Sequence, residues 1–338
     1  MKVVEIRDAF GFEHLKVCER PAPAPGPGQV LVNVKAASLN YRDLLTIQGF
    51  YNPKQKLPLI PCSDGAGEVA AIGDGVTRIK AGDRVAGCFA QGWIAGPPSR
   101  EKLLNTTLGG PLDGMLAEQV VLHEDGVVKI PEHLTNEEAA ALPCAALTAW
   151  SALVRHSHTR PGDSVLVLGT GGVSVFALQF ARMMGATVIV TSSSDDKLAR
   201  AKALGAAHGI NYATNPNWSK QVRELTGGDG VDHVIEVGGT GTLTQSMRCV
   251  KMGGTISLIG VLSGPEAPLN LTPILMQDIR VQGVIVGPRD SFEDMNRAIA
   301  LHELKPVVDR VFPMVDIHAA VEYMAAGKHF GKVCVRVA

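Results

Sequence analysis

The 338-residue chain carries 32 basic and 33 acidic side chains, so no net field draws it to nucleic acid or to an anionic membrane surface. No apolar run reaches the roughly 18 residues of a membrane span, and the opening MKVVEIRDAF has no apolar signal core, which makes the cytoplasm the expected location. Six scattered cysteines (18, 62, 88, 144, 249 and 334) include no CxxC pair and read as reduced thiols rather than disulfides or a zinc knot.

The length suits two domains, and the two halves have different grammar. After the extended connector PAPAPGPG, the first 130 residues hold short β-rich runs (QVLVNVKAASL, GAGEVAAIGDGV, DRVAG, LAEQVVLHEDGVVKI) separated by Gly, Pro and Asp turns, the pattern of an irregular antiparallel barrel. Within them PCSDGAGE, residues 61 to 68, sets a thiol, a hydroxyl and two acids in a glycine-punctuated stretch. Taken alone it reads equally as a metal site or as a turn in the barrel. The stretch AQGWIAGPPSREKLLNTTLGG, between Gly87 and Asp113, reads as an insertion that shapes a pocket or an interface.

From about Asn136 the pattern turns helical in NEEAAALPCAALTAWSALVRH, and buried strands then alternate with helices: SVLVLG, ATVIVTS, HVIEVGG, TISLIG and VQGVIVG. Fully apolar strands separated by helices predict a doubly wound parallel sheet, hence an α/β protein with a barrel domain beside it.

The most informative piece is SVLVLGTGGVSVFALQFARMMGA. A strand ending at Leu168 runs through Gly169, Thr170, Gly171 and Gly172 into a helix starting at about Val173, which offers free backbone N–H groups to a pyrophosphate. Gly169 permits the tight turn, Gly171 removes a Cβ where the anion approaches, and Ser174 stands where the fingerprint has its third glycine. A dinucleotide that is NAD calls for a carboxylate about 20 residues on. Here Thr191, Ser192 and Ser193 end the second strand, and with Lys197 they suit a 2′-phosphate, so NADPH is the expected cofactor with NADH as the alternative.

The order of barrel, PCAALTAW, GTGGVSVFALQFA and ALGAAHGINY resembles the medium-chain dehydrogenase/reductase superfamily over essentially the whole chain. SLNYRDLLTIQGFY, AGDRVAG and the terminal GKVCV place the resemblance in its zinc-independent, quinone-oxidoreductase-like and alcohol-dehydrogenase-like branch. The resemblance implies a GroES-like catalytic domain (1–145), a Rossmann NADP-binding domain (146–287), a return segment completing the first domain (288–338), and a homodimer or homotetramer. It implies that Thr148 supports the nicotinamide and that Tyr212 contacts the 2′-phosphate. It also implies that Gly238, Gly239, Val261 and Leu262 border the nicotinamide, and that VQGVIVG pairs across a two-fold.

Zinc-dependent relatives hold their metal at positions matched here by Asn40, Ser63-Asp64 and Cys144, a poor donor set for zinc, and the four-cysteine structural lobe is missing. The resemblance therefore implies no metal. Without a Lewis acid, reduction of a quinone or an α,β-unsaturated carbonyl is the expected chemistry. Asn40, Arg42 and Tyr51 are the candidate donors to the developing oxyanion, and Asp43 the carboxylate that orients their loop. Arg42 and Asp43 read equally as a surface charge couple. The alternative functions are a zinc-free alcohol dehydrogenase or aldehyde reductase, and a nucleotide-sensing protein without turnover.

Overall fold

The computed structural model describes residues 1–266 and 268–338. Two compact units form, one from Met1–Leu147 with Val286–Ala338, the other from Thr148–Ile285. Among the described residues no helix is long and apolar enough to cross a membrane.

In the first unit, Gln29–Leu39 is the spine. Its alternating Val30, Val32 and Val34 are buried in the core, and it pairs antiparallel with Asp64–Ile72, with Gln119–His123 and with the terminal strand Lys332–Arg336. The sheet continues outward through Arg84–Gly87 to Val127–Lys129 on one side and to Val308–Pro313 on the other. Two register shifts bend the spine against Asp64–Ile72. Gly67 is required here, since a Cβ on it would lie 2.0 Å from the Asn33 carbonyl oxygen across the ladder. Gly67 of PCSDGAGE thus serves strand pairing, while Gly65 makes room for the Met115 side chain, 2.7 Å from where its Cβ would lie. The register with the last strand sets Val333 opposite Leu39, which brings Lys332 alongside Asn40.

The second unit is a six-stranded, all-parallel sheet. Its order is His208–Asn211, Thr187–Ser192, Ser164–Leu168, Val231–Glu236, Val250–Leu258 and Arg280–Gly283. That is the 3-2-1-4-5-6 order of a dinucleotide-binding fold, whose switch point lies between the first and fourth strands. Two segments depart from expectation. The helical run before the sheet contains π-helical turns at Leu142–Ala146 and Ser151–His156, the first holding Pro143, whose missing N–H prevents a regular i→i−4 ladder. VQGVIVG is a strand only through Gly283, and beyond it Val286 has φ of 37°, outside the extended region.

His233, on Val231–Glu236, is 2% exposed; its Nε2 shares a hydrogen bond with Ser257 Oγ at 2.8 Å, and its Nδ1 has no partner among the described residues. Burial pushes its pKa from 6.5 down to about 3. The unfolded chain therefore takes up a proton below pH 6.5 that the native fold refuses, so the stabilising contribution is complete above that pH and lost as pH falls. The slope is about 1.4 kcal/mol per pH unit for this one group. Thermal melts across that range should show a steep fall in Tm that is shallower in His233→Asn; parallel curves for the two proteins would refute the assignment.

Candidate active site and nucleotide loop

At the end of the spine strand the chain turns into the helix Tyr41–Ile47, and Asp43 in its first turn accepts the Asn40 backbone N–H at 2.8 Å, half of a capping box. Asn40 Oδ1 accepts from Lys332 Nζ at 2.5 Å, and Nζ also donates to the Leu39 carbonyl at 2.7 Å. Beside them, Asp64 accepts from Ser63 Oγ at 2.7 Å and from the Cys144 backbone N–H at 3.0 Å. These polar groups are buried, with Ser63 and Asp64 fully so and Asp43 and Lys332 at 1% and 3% exposure. Burial raises the Asp64 carboxyl, with Lys332 as the main opposing influence, and lifts Asp43 to about 6 against the lowering effect of Arg42. Burial, reinforced by Asp64, holds the Cys144 thiol far above its ordinary range. Asn40 Nδ2 has no aligned hydrogen-bond partner among the described residues. The amide nevertheless lies near enough to Asp64 to help hold that carboxyl down.

Arg42 and Asp43 are not a surface couple. The Arg42 side chain is 8% exposed, and its guanidinium donates to the carbonyls of Leu108 (3.0 Å), Gly109 and Gly110 (3.4 Å each) and to Asp43 Oδ1 (3.3 Å). It also stacks over the rings of Tyr51, at 4.8 Å, and Phe89, at 5.2 Å. Arg42 thereby ties the end of the 87–113 loop to the helix Tyr41–Ile47, leaving only Nε without a partner among the described residues. Tyr51 is half-exposed.

In the second unit the strand Ser164–Leu168 turns through Gly169, at φ 71°, and Thr170 to Gly171, the residue before the helix Gly172–Met183. Ser174 Oγ donates to the Leu168 carbonyl at 2.7 Å, so the third-glycine position ties helix to strand end. The helix opens with backbone N–H groups, Gly172, Val173 and Ser174 among them, that lack i−4 acceptors. A Cβ on Gly171 would meet nothing within 4 Å among the described residues, an open face above those N–H groups. At the end of the next strand Ser192 is buried and Ser193 exposed, and the Tyr212 N–H donates to the Ser192 carbonyl at 3.0 Å. Lys197 lies in the first turn of the helix Asp195–Ala203. Thr148 is buried in Leu147–Trp150.

Gly238 and Gly239 donate their N–H groups to Glu236 Oε1, at 2.8 and 3.1 Å; Thr242 Oγ1 joins them at 2.6 Å, and Ser246 Oγ binds Oε2 at 2.5 Å. Gly239 also lets Val261 approach closely, since a Cβ there would sit 2.7 Å from Val261 Cα. Val261 and Leu262 are half-exposed. Glu236 and Lys332 are the two functional-looking residues that motif reading passed over. Each is a charge set at one end of a largely apolar strand, VDHVIE and KVCVR, whose other charge, Asp232 or Arg336, is less buried, and that placement is the signal that could have found them.

Residues 172–301 match the family of zinc-binding dehydrogenases, and residues 26–132 match the alcohol dehydrogenase GroES-like domain. A zinc-type alcohol dehydrogenase-like protein of Schizosaccharomyces pombe is 44% identical over 97% of this chain and 96% of its own. The crystal structure of a putative alcohol dehydrogenase of Sinorhizobium meliloti superposes with a TM-score of 0.92 at 43% identity, over 99% of both chains. That of an NAD-dependent alcohol dehydrogenase superposes at 0.93 and 38%, over the full length of both. With a relative that similar over nearly its whole length, and with a nucleotide-type loop at the sheet's switch point, the chain belongs to the alcohol-dehydrogenase-like medium-chain dehydrogenase/reductases and is an NAD(P)-dependent oxidoreductase.

Proposed function

We propose that the protein is an NADPH-dependent reductase that delivers hydride to a quinone or an α,β-unsaturated carbonyl without a catalytic zinc. The observation that carries this reading is the internal bonding of the four positions where relatives would hold zinc. Asp64 is held by Ser63 and the Cys144 backbone, Asn40 by Lys332. These residues do not fit the metal. Zinc wants thiolate, imidazole or free carboxylate, and here it would meet a single cysteine, a carboxylate with both oxygens engaged, and a lysine within the cluster. Among the described residues no group of three His, Cys, Asp or Glu side chains is placed to hold a metal ion.

The nicotinamide cofactor, by contrast, fits the loop at 169–174. Bound there, it supplies the hydride. The chain's own part is to seat the pyrophosphate on the Gly172–Met183 helix start, and to offer Asn40 as a donor to the oxygen on which charge develops. A conjugated acceptor spreads that charge, so neutral donors suffice where a saturated alcohol would need a Lewis acid. A screen of NADPH oxidation over quinones, enones and aldehydes, run beside elemental analysis of the dialysed protein, tests the proposal. We expect turnover on the conjugated acceptors with no stoichiometric zinc. One zinc per chain whose chelation removes activity would overturn it in favour of the second reading, the alcohol dehydrogenase activity in the names of its relatives.

Cofactor preference follows from the second strand. The second strand ends in Ser192, followed by Ser193, with no carboxylate in the strand itself, and Lys197 follows in the first turn of the next helix, after Asp195 and Asp196. We expect NADPH to bind at least about tenfold more tightly than NADH, each charge-assisted contact adding about 1.5–3 kcal/mol. The comparison is a nicotinamide fluorescence titration of the wild type and Lys197→Ala. Equal affinities, as for an NAD enzyme, would refute the preference.

Among the described residues the edge strand Arg280–Gly283 has no further neighbour in its sheet, and Val281 on it, with Ile285, Leu275 and Met276 nearby in sequence, is exposed. We propose that a second copy of the chain covers it; sedimentation as a monomer at micromolar concentration would remove that proposal.

A further inference from the structure

We infer that Lys332 is a positioning residue that sets the polarity of the Asn40 amide, and so decides which end of it is left to act on substrate. The inference rests on the proposed role of Asn40 as an oxyanion donor. An asparagine amide is nearly symmetric in shape, and only its partners decide whether oxygen or nitrogen faces a given direction. A lysine Nζ can only donate. At 2.5 Å from Asn40 it must therefore face Oδ1, which leaves Nδ2 as the donating end, with no aligned hydrogen bond among the described residues and with the Asp64 carboxyl close by. Lys332 is itself held in place: its second bond runs to the Leu39 carbonyl at 2.7 Å, and strand pairing on Gln29–Leu39 fixes its backbone.

A long, flexible, charged side chain at 3% exposure inside a strand is costly to keep unless it does something an apolar residue cannot. Two features show what that is. The charge of Lys332 is the largest influence opposing the rise of the Asp64 carboxyl, so it balances the buried acids of this cluster. Its donor-only chemistry also turns the adjoining amide into a one-way donor. A buried donor already excluded from water and already oriented is the kind that stabilises a developing negative charge without reorganisation. Were the amide reversed, Oδ1 would point at the oxyanion and repel it.

The test is a set of substitutions at 332 crossed with Asn40→Ala, read as kcat, acceptor KM, NADPH affinity and melting temperature on the best conjugated acceptor. Lys332→Arg keeps a donor-only head and should hold kcat within a few-fold. Lys332→Met removes the bond. Lys332→Gln keeps a hydrogen bond of the same reach but accepts either amide orientation, so it preserves packing while releasing polarity, and it decides the matter if the Met variant does not fold. Both neutral variants should lower kcat by about tenfold to hundredfold with NADPH affinity nearly unchanged. Combining either with Asn40→Ala should be no slower than Asn40→Ala alone, because the lysine acts through that amide. A folded Lys332→Gln with wild-type kcat, or effects that multiply in the double variant, would overturn the inference while leaving Asn40 its role. Wild-type kcat in Asn40→Ala would overturn the reading of Asn40, and this inference with it.

Discussion

Gly171→Asp is expected to abolish measurable nicotinamide-nucleotide binding in a protein that melts like the wild type. Gly171 has φ of −77° and ψ of −173°, an extended conformation open to any residue, and a Cβ there touches nothing within 4 Å among the described residues. It is also the N-cap of the helix Gly172–Met183. Asp is among the best residues at that position, so the fold should be unharmed or gain a few tenths of a kcal/mol, about what separates Gly from Asp at an N-cap. The same carboxylate, however, would take up the helix N–H groups that a pyrophosphate needs and place a like charge against it. Two unit charges about 4 Å apart near a protein surface repel by about 4 kcal/mol, roughly a thousandfold in affinity. Fluorescence titration with NADPH and NADH, with melts alongside, reads both halves. Gly169 is the control: at φ 71° any side chain is strained, so a loss there mixes folding with binding. Retained tight binding by folded Gly171→Asp would mean that the pyrophosphate sits elsewhere.

The loop was legible because its information is contiguous. Strand, turn and helix are written within about twenty residues, and the helix starts within one residue of the expected Val173. The parallel sheet was legible for a related reason, since runs such as SVLVL and TVIVTS have no polar face to give to solvent. The buried polar cluster at the end of the spine strand was legible only in part. Asn40 and Asp43 are three residues apart and share a capping motif that local sequence encodes. Lys332 is 292 residues from the amide it binds, and the carbonyls that hold Arg42 lie 66 to 68 residues downstream. Nothing near Arg42 in sequence tells a buried clasp from a surface couple, since an Arg-Asp pair looks the same in both; only tertiary packing separates them. The π-helical turns around Pro143 and the early end of the last parallel strand at Gly283 were hidden likewise, since both involve backbone departures that the apolar pattern does not register.

That division between local and distant partners also separates the two residues of SLNYRD experimentally. Asn40→Ala should lower turnover by about 10²-fold to 10³-fold, the loss typical of one preorganised donor, with NADPH affinity unchanged. Its melting temperature should fall only modestly, because the backbone N–H that Asp43 accepts survives the substitution and an N-cap loss costs about 1 kcal/mol. Arg42→Ala should behave differently. It releases the carbonyls of Leu108, Gly109 and Gly110, empties the stack on Tyr51 and Phe89, and leaves Asp43 without its main counter-charge. Removing one partner of a buried pair costs about 3–5 kcal/mol, so Arg42→Ala should show mainly as a drop in Tm, with turnover falling as the 87–113 loop loosens. Arg42→Lys, which keeps the charge beside Asp43 but not the forked donors, should recover part of the stability. Steady-state rates on the best conjugated acceptor and melts on the same samples give the result. If Asn40→Ala keeps wild-type turnover while Arg42→Ala loses turnover without losing Tm, the roles are exchanged: the guanidinium, through the Nε that has no partner among the described residues, then becomes the oxyanion donor, and Asn40 is reduced to a cap.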